Sequence, residues 1–252
     1  AAGERKQEQV VAANIDTAFI CMSLNNNFNI RRLERYLSAA YESGATPVVV
    51  LTKSDLCSDV ESKILEAQNA APGVDVLAIS SLDGDYEAVV NYILPGKTVA
   101  FIGSSGVGKS TLINKLTGTD SIATREIGND DKGRHTTTHR ELIQLPDGAF
   151  VIDTPGMREL GMWDSGDGID AAFADIEGLS CACRYADCTR TTEPGCSVLQ
   201  ALADGTLDAA RLASYRKLKT ENDYAADNSR YLEAKRTKFK EIAKINKSNR
   251  RR

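Results

Sequence analysis

Residues 103–110 read Gly-Ser-Ser-Gly-Val-Gly-Lys-Ser, which fits the phosphate-binding pattern Gly-x-x-x-x-Gly-Lys-[Ser/Thr]. An apolar, β-prone run precedes them at 98–102, and a helical pattern follows at 111–116, closed by Gly118. A strand, a glycine loop and a helix in this order let backbone N–H groups close around phosphate oxygens. The stretch therefore predicts a P-loop, with a chance glycine turn as the alternative.

The pattern also predicts what each position of this loop does. Lys109 is expected to reach the β- and γ-phosphates of a nucleotide, and the Ser110 hydroxyl is expected to bind Mg²⁺. The other positions are expected to surround the phosphates with backbone groups. They are Gly103, Ser104, Ser105, Gly106, Val107, Gly108 and Thr111.

Apolar runs alternate with helical patterns on both sides of this loop. We predict strands at 16–22, 47–51, 74–79, 98–102 and 149–152, and helices at 31–41, 59–70 and 83–93. This alternation indicates an α/β fold with a mainly parallel sheet and helices on both faces. Such sheets bind ligands at the carboxyl ends of their strands, so further site residues are expected directly after each strand.

A tetrapeptide after the second strand resembles the guanine-recognition motif Asn-Lys-x-Asp of GTPases. It consists of Thr52, Lys53, Ser54 and Asp55. The Asp55 carboxylate can accept hydrogen bonds from guanine N1–H and from the 2-amino group, whereas adenine offers no such pair of donors. The stem of Lys53 is expected to lie along the base, and Thr52 replaces the usual asparagine without its amide.

Ser80 and Ser81 follow the next strand and resemble the short loop that supports the base in GTPases. Ser81 also suits a helix N-cap, and both roles remain open.

The last predicted strand leads into Asp153-Thr154-Pro155-Gly156, which matches the Asp-x-x-Gly element of GTPases. Asp153 is expected to hold Mg²⁺ through water, and the Gly156 N–H to contact the γ-phosphate. The next residue is Met157, whose thioether cannot orient the attacking water as a glutamine does in Ras-like proteins.

Residues 119–140 are polar and lack periodicity, which predicts a switch segment. One threonine of 136–138 is expected to complete the Mg²⁺ shell. Thr137 is favoured, although the sequence does not decide among the three and an edge strand is the alternative. His135 is the candidate for the missing water-orienting group, with simple packing of the switch as the competing role.

These elements occur in a permuted order, because the base-recognition motifs precede the P-loop. The order resembles that of the circularly permuted GTPases of the RsgA (YjeQ) type, and so do four segments: the run 8–37, the Gly-Arg-His-Thr-Thr-Thr stretch, the run 153–160 and the cysteines between 181 and 196. The resemblance covers nearly the whole chain. It implies GTP hydrolysis to GDP with Mg²⁺, binding to the small (30S) ribosomal subunit and its 16S rRNA, and a role in late subunit maturation stimulated by the particle.

Family members also carry an oligonucleotide-binding barrel ahead of the first strand, and this chain begins about where that barrel is expected to end. Two rival functions remain open. One is a P-loop ATPase or small-molecule kinase, and the other is an RNA-binding module that uses GTP as a structural ligand.

Four of the six cysteines crowd between Cys181 and Cys196, which favours a metal site over disulfides in a chain that starts without a secretory signal. The family resemblance implies structural zinc bound by Cys-x₄-Cys-x-His-x₅-Cys, which Cys183, Cys188 and Cys196 fit. Arg190 stands at the histidine position and cannot ligate a metal. Since tetrahedral zinc takes four ligands, we predict Cys181 as the fourth, with a metal-free loop or another metal as the alternative.

Charge is unevenly distributed along the chain. Residues 211–252 carry 14 Lys/Arg against 5 Asp/Glu, and the remainder carries 17 against 30. Helices are predicted at 197–204, 207–219 and 221–245, the last with a basic face. This basic region suggests contact with rRNA phosphates, and a solvated helix surface is the alternative.

The predicted organisation is a permuted GTPase domain at 1–165 and a small zinc-binding, mainly helical domain at 166–252. No apolar run approaches the roughly 20 residues that span a membrane. We therefore expect no membrane contact. A cytoplasmic location and a monomeric state are further expectations.

Overall fold

The computed structural model describes residues 13–25, 27–80, 86–118, 141–154 and 165–225. The predicted switch at 119–140 and the basic tail from 226 onward lie outside these ranges. The strands are β1 (Thr17–Ser23), β2 (Thr46–Thr52), β3 (Val76–Ile79), β4 (Thr98–Ile102), β5 (Glu141–Gln144) and β6 (Phe150–Asp153). The helices are α1 (Ile30–Glu42), α2 (Val60–Ala70), α3 (Glu87–Val90), α4 (Lys109–Thr117), α5 (Gly166–Ala172), α6 (Ala174–Ser180) and α7 (Ser197–Ala203), and residues 209–225 are also helical.

The six strands form one sheet in the order β3-β2-β1-β4-β6-β5. All neighbouring pairs are parallel except β5 and β6, which are antiparallel. The prediction of an α/β fold with a mainly parallel sheet is therefore confirmed. Strand β5 was not predicted, because it is a short edge strand on which Leu142 is 63% exposed and no long apolar run marks it.

The sheet separates two hydrophobic clusters, as expected for strands that are buried on both faces. Along β1, Ala18, Ile20 and Met22 face one cluster, whereas Phe19 and Cys21 face the other. The alternation follows from the period of two along a strand. Both faces of the central strands are thus covered by apolar residues, and a ligand is expected at the carboxyl ends of the strands.

Helix α1 illustrates how local sequence sets an element. Asn29 caps it by accepting the Arg32 N–H at 3.0 Å, and the chain leaves it at Gly44 with φ of +73°. Its buried apolar side chains lie on one face, at the spacing of a 3.6-residue period. They include Leu33, Tyr36, Leu37 and Ala40.

The helices after residue 165 pack on the same core as α1. One cluster combines residues of β1, α1 and β2 with Ile169, Phe173, Ile176 and Val198. Gly168 makes the contact close, because a Cβ there would lie 2.2 Å from the Ser38 carbonyl oxygen of α1. The predicted domain boundary at 165/166 stays a prediction, since apolar residues from both sides share this cluster.

The predicted break between helices at Thr220 is wrong, because residues 209–225 form one continuous helix in the described part of the chain. Thr220 is accommodated in it by donating its hydroxyl to the Arg216 carbonyl at 2.8 Å.

Arg211, on this helix, is the polar centre of the packing and is only 8% exposed. Its guanidinium donates to both carboxylate oxygens of Asp175 at 2.7 Å and to Glu34 Oε1 of α1 at 3.0 Å. It also donates to the Ala70 and Ala172 carbonyls at 3.0 Å. Burial raises the pKa of Glu34, and hydrogen bonds to its neighbours oppose that shift.

None of the helices in the described ranges has the length and apolar character needed to cross a membrane.

Candidate functional site

The phosphate loop, residues 103–110, joins the end of β4 to the start of α4. Gly103 lies against the backbone of β1, and a Cβ at this position would be 2.4 Å from the Cys21 carbonyl oxygen. Gly108 has φ of +95°, a conformation that glycine adopts without strain. Both glycines are therefore required by the fold of the loop itself, before any ligand is considered.

Lys109 is held within this loop by backbone carbonyls. Its Nζ donates to the Gly103 and Ser104 carbonyl oxygens, each at 2.9 Å, and the side chain is 6% exposed. Burial lowers the pKa of Lys109, while the nearby Asp153 carboxylate opposes that shift. Bound phosphates would favour the charged ammonium for the same electrostatic reason.

The predicted magnesium ligands Ser110 and Asp153 belong to neighbouring elements. Ser110 lies in the first turn of α4, and Asp153 ends β6, where it pairs in register with Phe101 of β4. Thr154 fixes this end of the strand by donating to the Phe101 carbonyl at 2.5 Å. A hydroxyl and a carboxylate oxygen are the donor types that Mg²⁺ prefers, so these residues fit the ion.

Of the other predicted residues of this site, some lie within the described ranges and some lie outside them. Ser105 and Thr111 are half-buried in the phosphate loop and the first turns of α4. Outside the described residues lie Ser81, His135, Thr137 and Gly156.

The base-recognition tetrapeptide touches the phosphate loop directly. The Thr52 hydroxyl, at the end of β2, donates to the Val107 carbonyl at 2.5 Å, and Thr52 Cβ lies 3.9 Å from the Cβ position of Gly108. Lys53 then turns the chain with φ of +59°, and a short 3₁₀ helix at Ser54–Leu56 leaves Asp55 exposed. The threonine that replaces the usual asparagine thus binds the phosphate loop with its hydroxyl.

Ser80 lies one strand further along the same edge, directly after β3, and is 1% exposed. The carboxyl ends of β2, β3, β4 and β6 therefore present the predicted base-binding, phosphate-binding and metal-binding groups along one edge of the sheet.

Sequence reasoning missed the contribution of the loop between β1 and α1. Asn27 Nδ2 donates to the Ser104 hydroxyl at 2.9 Å, and Arg32 Nη1 donates to Asn27 Oδ1 at 2.7 Å. The signal was present, because a polar asparagine-rich run follows β1 at the same edge of the sheet.

Three of the four predicted zinc ligands come together in the cysteine loop, residues 181–196. The sulfurs of Cys183, Cys188 and Cys196 lie within 4.8 Å of one another, and the Cys183 and Cys196 sulfurs are 3.8 Å apart. Two thiolates about 2.3 Å from one tetrahedral zinc would be separated by about 3.8 Å, so the trio fits this metal. The structure does not bring Cys181 into this group, because it is exposed at the end of α6.

The surroundings of these thiols favour the thiolate form of Cys183 over that of Cys188. Burial acts to raise the pKa of Cys183, but N–H groups of Ser197 and Val198 outweigh it and lower that pKa. Burial raises the pKa of Cys188 to about 11. Metal binding would have to displace the remaining protons, as it does at other thiolate sites.

Arg190, which replaces the expected histidine, braces the loop against the helices. Its Nε donates to the Ser180 hydroxyl at 2.7 Å, and its guanidinium carbon lies 5.6 Å from the ring centroid of Tyr215. The Arg190 carbonyl in turn accepts from Arg216. The residue therefore joins the loop to α6 and to the helix at 209–225.

The comparisons with known proteins agree on one family. The family model described as RsgA GTPase matches residues 2–163. Small ribosomal subunit biogenesis GTPase RsgA 2 of Lactiplantibacillus plantarum is 53% identical over 231 residues, which cover 91% of this chain and 65% of that protein. The protein of the same name in Vibrio vulnificus is 48% identical, over 97% of this chain and 70% of its own length. The chain thus spans about two thirds of the length of these relatives.

Two solved structures share the fold. YjeQ from Thermotoga maritima superposes with a TM-score of 0.62 at 26% identity, covering 82% of this chain and 71% of the other. YloQ, titled a circularly permuted GTPase, gives a TM-score of 0.62 at 29% identity, covering 85% and 69%. By its sequence, this chain belongs to the RsgA GTPase family.

Proposed function

We propose that the protein binds and hydrolyses GTP, and that it acts as a late assembly factor of the small ribosomal subunit. The observation that carries the nucleotide assignment is the 2.5 Å hydrogen bond from Thr52 to the Val107 carbonyl. It joins two segments that are 55 residues apart in sequence, one suited to guanine and the other to phosphates. A single nucleotide can contact both.

Guanine selection depends on Asp55 in this proposal. Its exposed carboxylate would accept hydrogen bonds from N1–H and from the 2-amino group of guanine, with Lys53 along the base and Ser80 at the neighbouring strand end. Adenine nucleotides would leave the carboxylate without these donors, which costs affinity.

Phosphoryl transfer would depend on positioned charge. Lys109 would bind the β- and γ-phosphates, and Ser110, Thr137 and Asp153 would hold Mg²⁺, directly or through water. The ion, when bound, neutralises charge that develops on the phosphate oxygens. The Gly156 N–H would contact the γ-phosphate. His135 would orient the attacking water, since Met157 offers no suitable group.

The ribosomal assignment is supported by the names of the relatives, which are small ribosomal subunit biogenesis GTPases. The basic residues of the region 211–252 other than the buried Arg211 would contact 16S rRNA phosphates. GTP would order the switch and favour the bound state, and hydrolysis to GDP would favour release. Such a factor would act in the cytoplasm as a monomer, away from any membrane.

GTP turnover with and without purified 30S subunits tests this function. We expect the particles to stimulate turnover, and His135→Ala to lower the stimulated rate by about 100-fold, within the range of a group acting in general acid–base catalysis. His139→Ala is the matched control, since it removes the other histidine of the chain. Equal effects of the two variants would remove His135 from the mechanism, and turnover that 30S subunits do not stimulate would favour an RNA-binding module.

The cysteine loop would hold one structural Zn²⁺ through Cys183, Cys188 and Cys196. The assignment of Cys181 as the fourth ligand remains a prediction. Zinc measured by elemental analysis should be close to one per chain, and it should be lost from Cys188→Ala but retained in Cys57→Ala, a cysteine outside the trio. Full zinc content in Cys181→Ala would exclude Cys181 as a ligand.

A further inference from the structure

The Ser104 side chain of the phosphate loop contacts both the loop before α1 and the first turn of α1. Ser104 is 5% exposed, and its hydroxyl accepts a hydrogen bond from Asn27 Nδ2 at 2.9 Å. Arg32 Nη1 lies 3.4 Å from the same hydroxyl. The residues in these contacts are 77 and 72 positions apart in sequence. The contacts therefore depend on the tertiary fold and cannot be read from a local sequence pattern.

Arg32 in turn holds Asn27 in place. Its Nη1 donates to Asn27 Oδ1 at 2.7 Å and lies 3.4 Å from the Asn27 carbonyl. The amide of Asn27 is thereby oriented with its oxygen toward the guanidinium and its NH₂ toward Ser104. Two cooperating side chains therefore fix the Ser104 hydroxyl.

The same residue, Ser104, also positions the phosphate-binding lysine. Its carbonyl accepts a hydrogen bond from Lys109 Nζ at 2.9 Å, beside the Gly103 carbonyl at the same distance. The Ser104 side chain thus contacts Asn27 and Arg32, and the Ser104 backbone carbonyl accepts a hydrogen bond from Lys109. A rotation of the Ser104 peptide would move the lysine.

Arg32 also brings positive charge to this end of the loop. Among the residues that the structure describes, its hydrogen-bond partners are neutral oxygens, so no carboxylate there cancels its charge. The side chain is half-buried, which reduces screening by water. Arg31, its neighbour, is exposed.

We propose that Asn27 and Arg32 are positioning residues for nucleotide binding: they hold Ser104, which sets the place of Lys109 Nζ, and Arg32 adds a favourable charge near the phosphates. The inference rests on the proposed function, because it concerns the same nucleotide site. It assigns a role to Asn27 and to the first turn of α1, for which the sequence patterns predicted no function.

Four variants of the full chain separate position from charge. Arg32→Ala removes the positive charge and the hydrogen bonds that position Asn27. Arg32→Lys keeps the charge. Asn27→Ala keeps the charge of Arg32 but removes the hydrogen bond from Asn27 to Ser104. Arg31→Ala is the matched control, one residue away and exposed. The measurements are the Kd of a fluorescent GDP analogue, the ³¹P NMR shift of the β-phosphate of bound GDP, and the Tm of the nucleotide-free protein.

We expect Arg32→Ala to weaken GDP binding about tenfold and Asn27→Ala about threefold, as loss of charged and neutral hydrogen bonds would. Arg32→Lys should recover part of the loss. Both Arg32→Ala and Asn27→Ala should shift the β-phosphate resonance, because Lys109 moves. Arg31→Ala should leave the affinity and the resonance unchanged, and the nucleotide-free Tm of all four should agree within about 2 °C.

The inference is wrong if Arg32→Ala matches Arg31→Ala in affinity and in the ³¹P shift. It is equally wrong if weaker binding accompanies a lower nucleotide-free Tm with an unchanged resonance, which would mark a merely structural role. Failure of the unchanged chain to bind GDP at all would instead overturn the proposed function, and the inference with it.

Discussion

The phosphate loop and the cysteine loop are held in opposite ways. The phosphate loop lies between the buried strand β4 and helix α4, and neighbouring strands contact its backbone through Cys21 and Thr52. The cysteine loop contains no helix or strand between residues 181 and 196. It is organised by side chains, chiefly the carboxylate of Glu193 and the guanidinium of Arg190.

Glu193 shows most clearly that side chains organise the cysteine loop. Its carboxylate accepts the N–H groups of Thr189 and Thr191, each at 2.9 Å, and of Thr192 at 3.1 Å. These hydrogen bonds fold the chain between Cys188 and Cys196 without an apolar core of its own. The fold thus preforms the phosphate cradle, whereas the cysteine loop gains its remaining stability from a metal in our proposal.

The largest expected effect is on the polar contact that joins the helix at 209–225 to α1 and α6. Arg211→Ala leaves the buried carboxylate of Glu34 and the half-buried carboxylate of Asp175 without their cation, and it should lower the free energy of unfolding by about 3–5 kcal/mol. Urea unfolding followed by circular dichroism measures it. Lys217→Ala, an exposed change on the same helix, is the control.

Because one hydrophobic cluster spans both sides of residue 165, we expect a single unfolding transition in the parent and in Arg211→Ala. Two transitions would contradict this and would support the predicted boundary at 165/166 as a division into separate folding units.

A matched pair of glycine substitutions contrasts the two loops directly. Gly103→Ala places a methyl group 2.4 Å from the Cys21 carbonyl oxygen, within a packed sheet that cannot yield, and should cost about 3 kcal/mol of stability. Gly195→Ala meets Arg184 Cβ at 3.1 Å with φ of +78°, and should cost about 1–2 kcal/mol. Equal losses in urea unfolding would mean that the phosphate loop is no more rigid than the cysteine loop.

A smaller effect is expected at the contact between the base-recognition tetrapeptide and the phosphate loop. Thr52→Val keeps the side-chain shape but leaves the Val107 carbonyl without its donor, so stability should fall by about 1–2 kcal/mol. GDP affinity should fall about three- to tenfold. Thr46→Val, at the exposed start of the same strand, should change neither quantity. Unchanged GDP binding in Thr52→Val would show that this hydrogen bond does not position the site.

The smallest effect concerns the pH dependence of the cysteine loop. Hydrogen bonds from Thr189 and from backbone N–H groups lower the pKa of Glu193. Its stabilisation is therefore present above the unfolded value of about 4.3 and is lost as pH falls toward the lower folded value. Glu193→Gln should be less stable than the parent at pH 7, and the difference should narrow below about pH 4.3 in parallel urea titrations. A difference that stays constant with pH would exclude this role.

Local patterns predicted five of the six strands in the described residues and the phosphate loop, because apolar runs, a glycine spacing and a lysine are visible in short windows. The same holds for Thr52–Asp55, which follows a strand. Contacts between distant segments were not predictable in this way. The hydrogen bond from Asn27 to Ser104 joins two loops through the fold, and no window contains both.

Two residues show how tertiary structure overrides a sequence pattern. Arg211 belongs to a basic region that suggests RNA contact, yet acidic groups from two other helices surround it in the core. Cys181 is two residues from Cys183 in sequence, but its position at the end of α6 leaves it exposed and outside the thiol trio. A separation of two residues in sequence therefore does not place both thiols in one cluster.

Nucleotide specificity of Asp55→Asn tests most directly whether the permuted segments form one guanine site. An asparagine amide can accept from N1–H and donate to a carbonyl, so it matches xanthine, which carries a C2 carbonyl where guanine carries an amino group. In competition against fluorescent GDP, the parent chain should bind unlabelled GDP much more tightly than ADP or XDP. Asp55→Asn should prefer XDP to GDP. Unchanged preference for GDP in the variant, or ADP binding as tightly as GDP in the parent, would contradict the assignment.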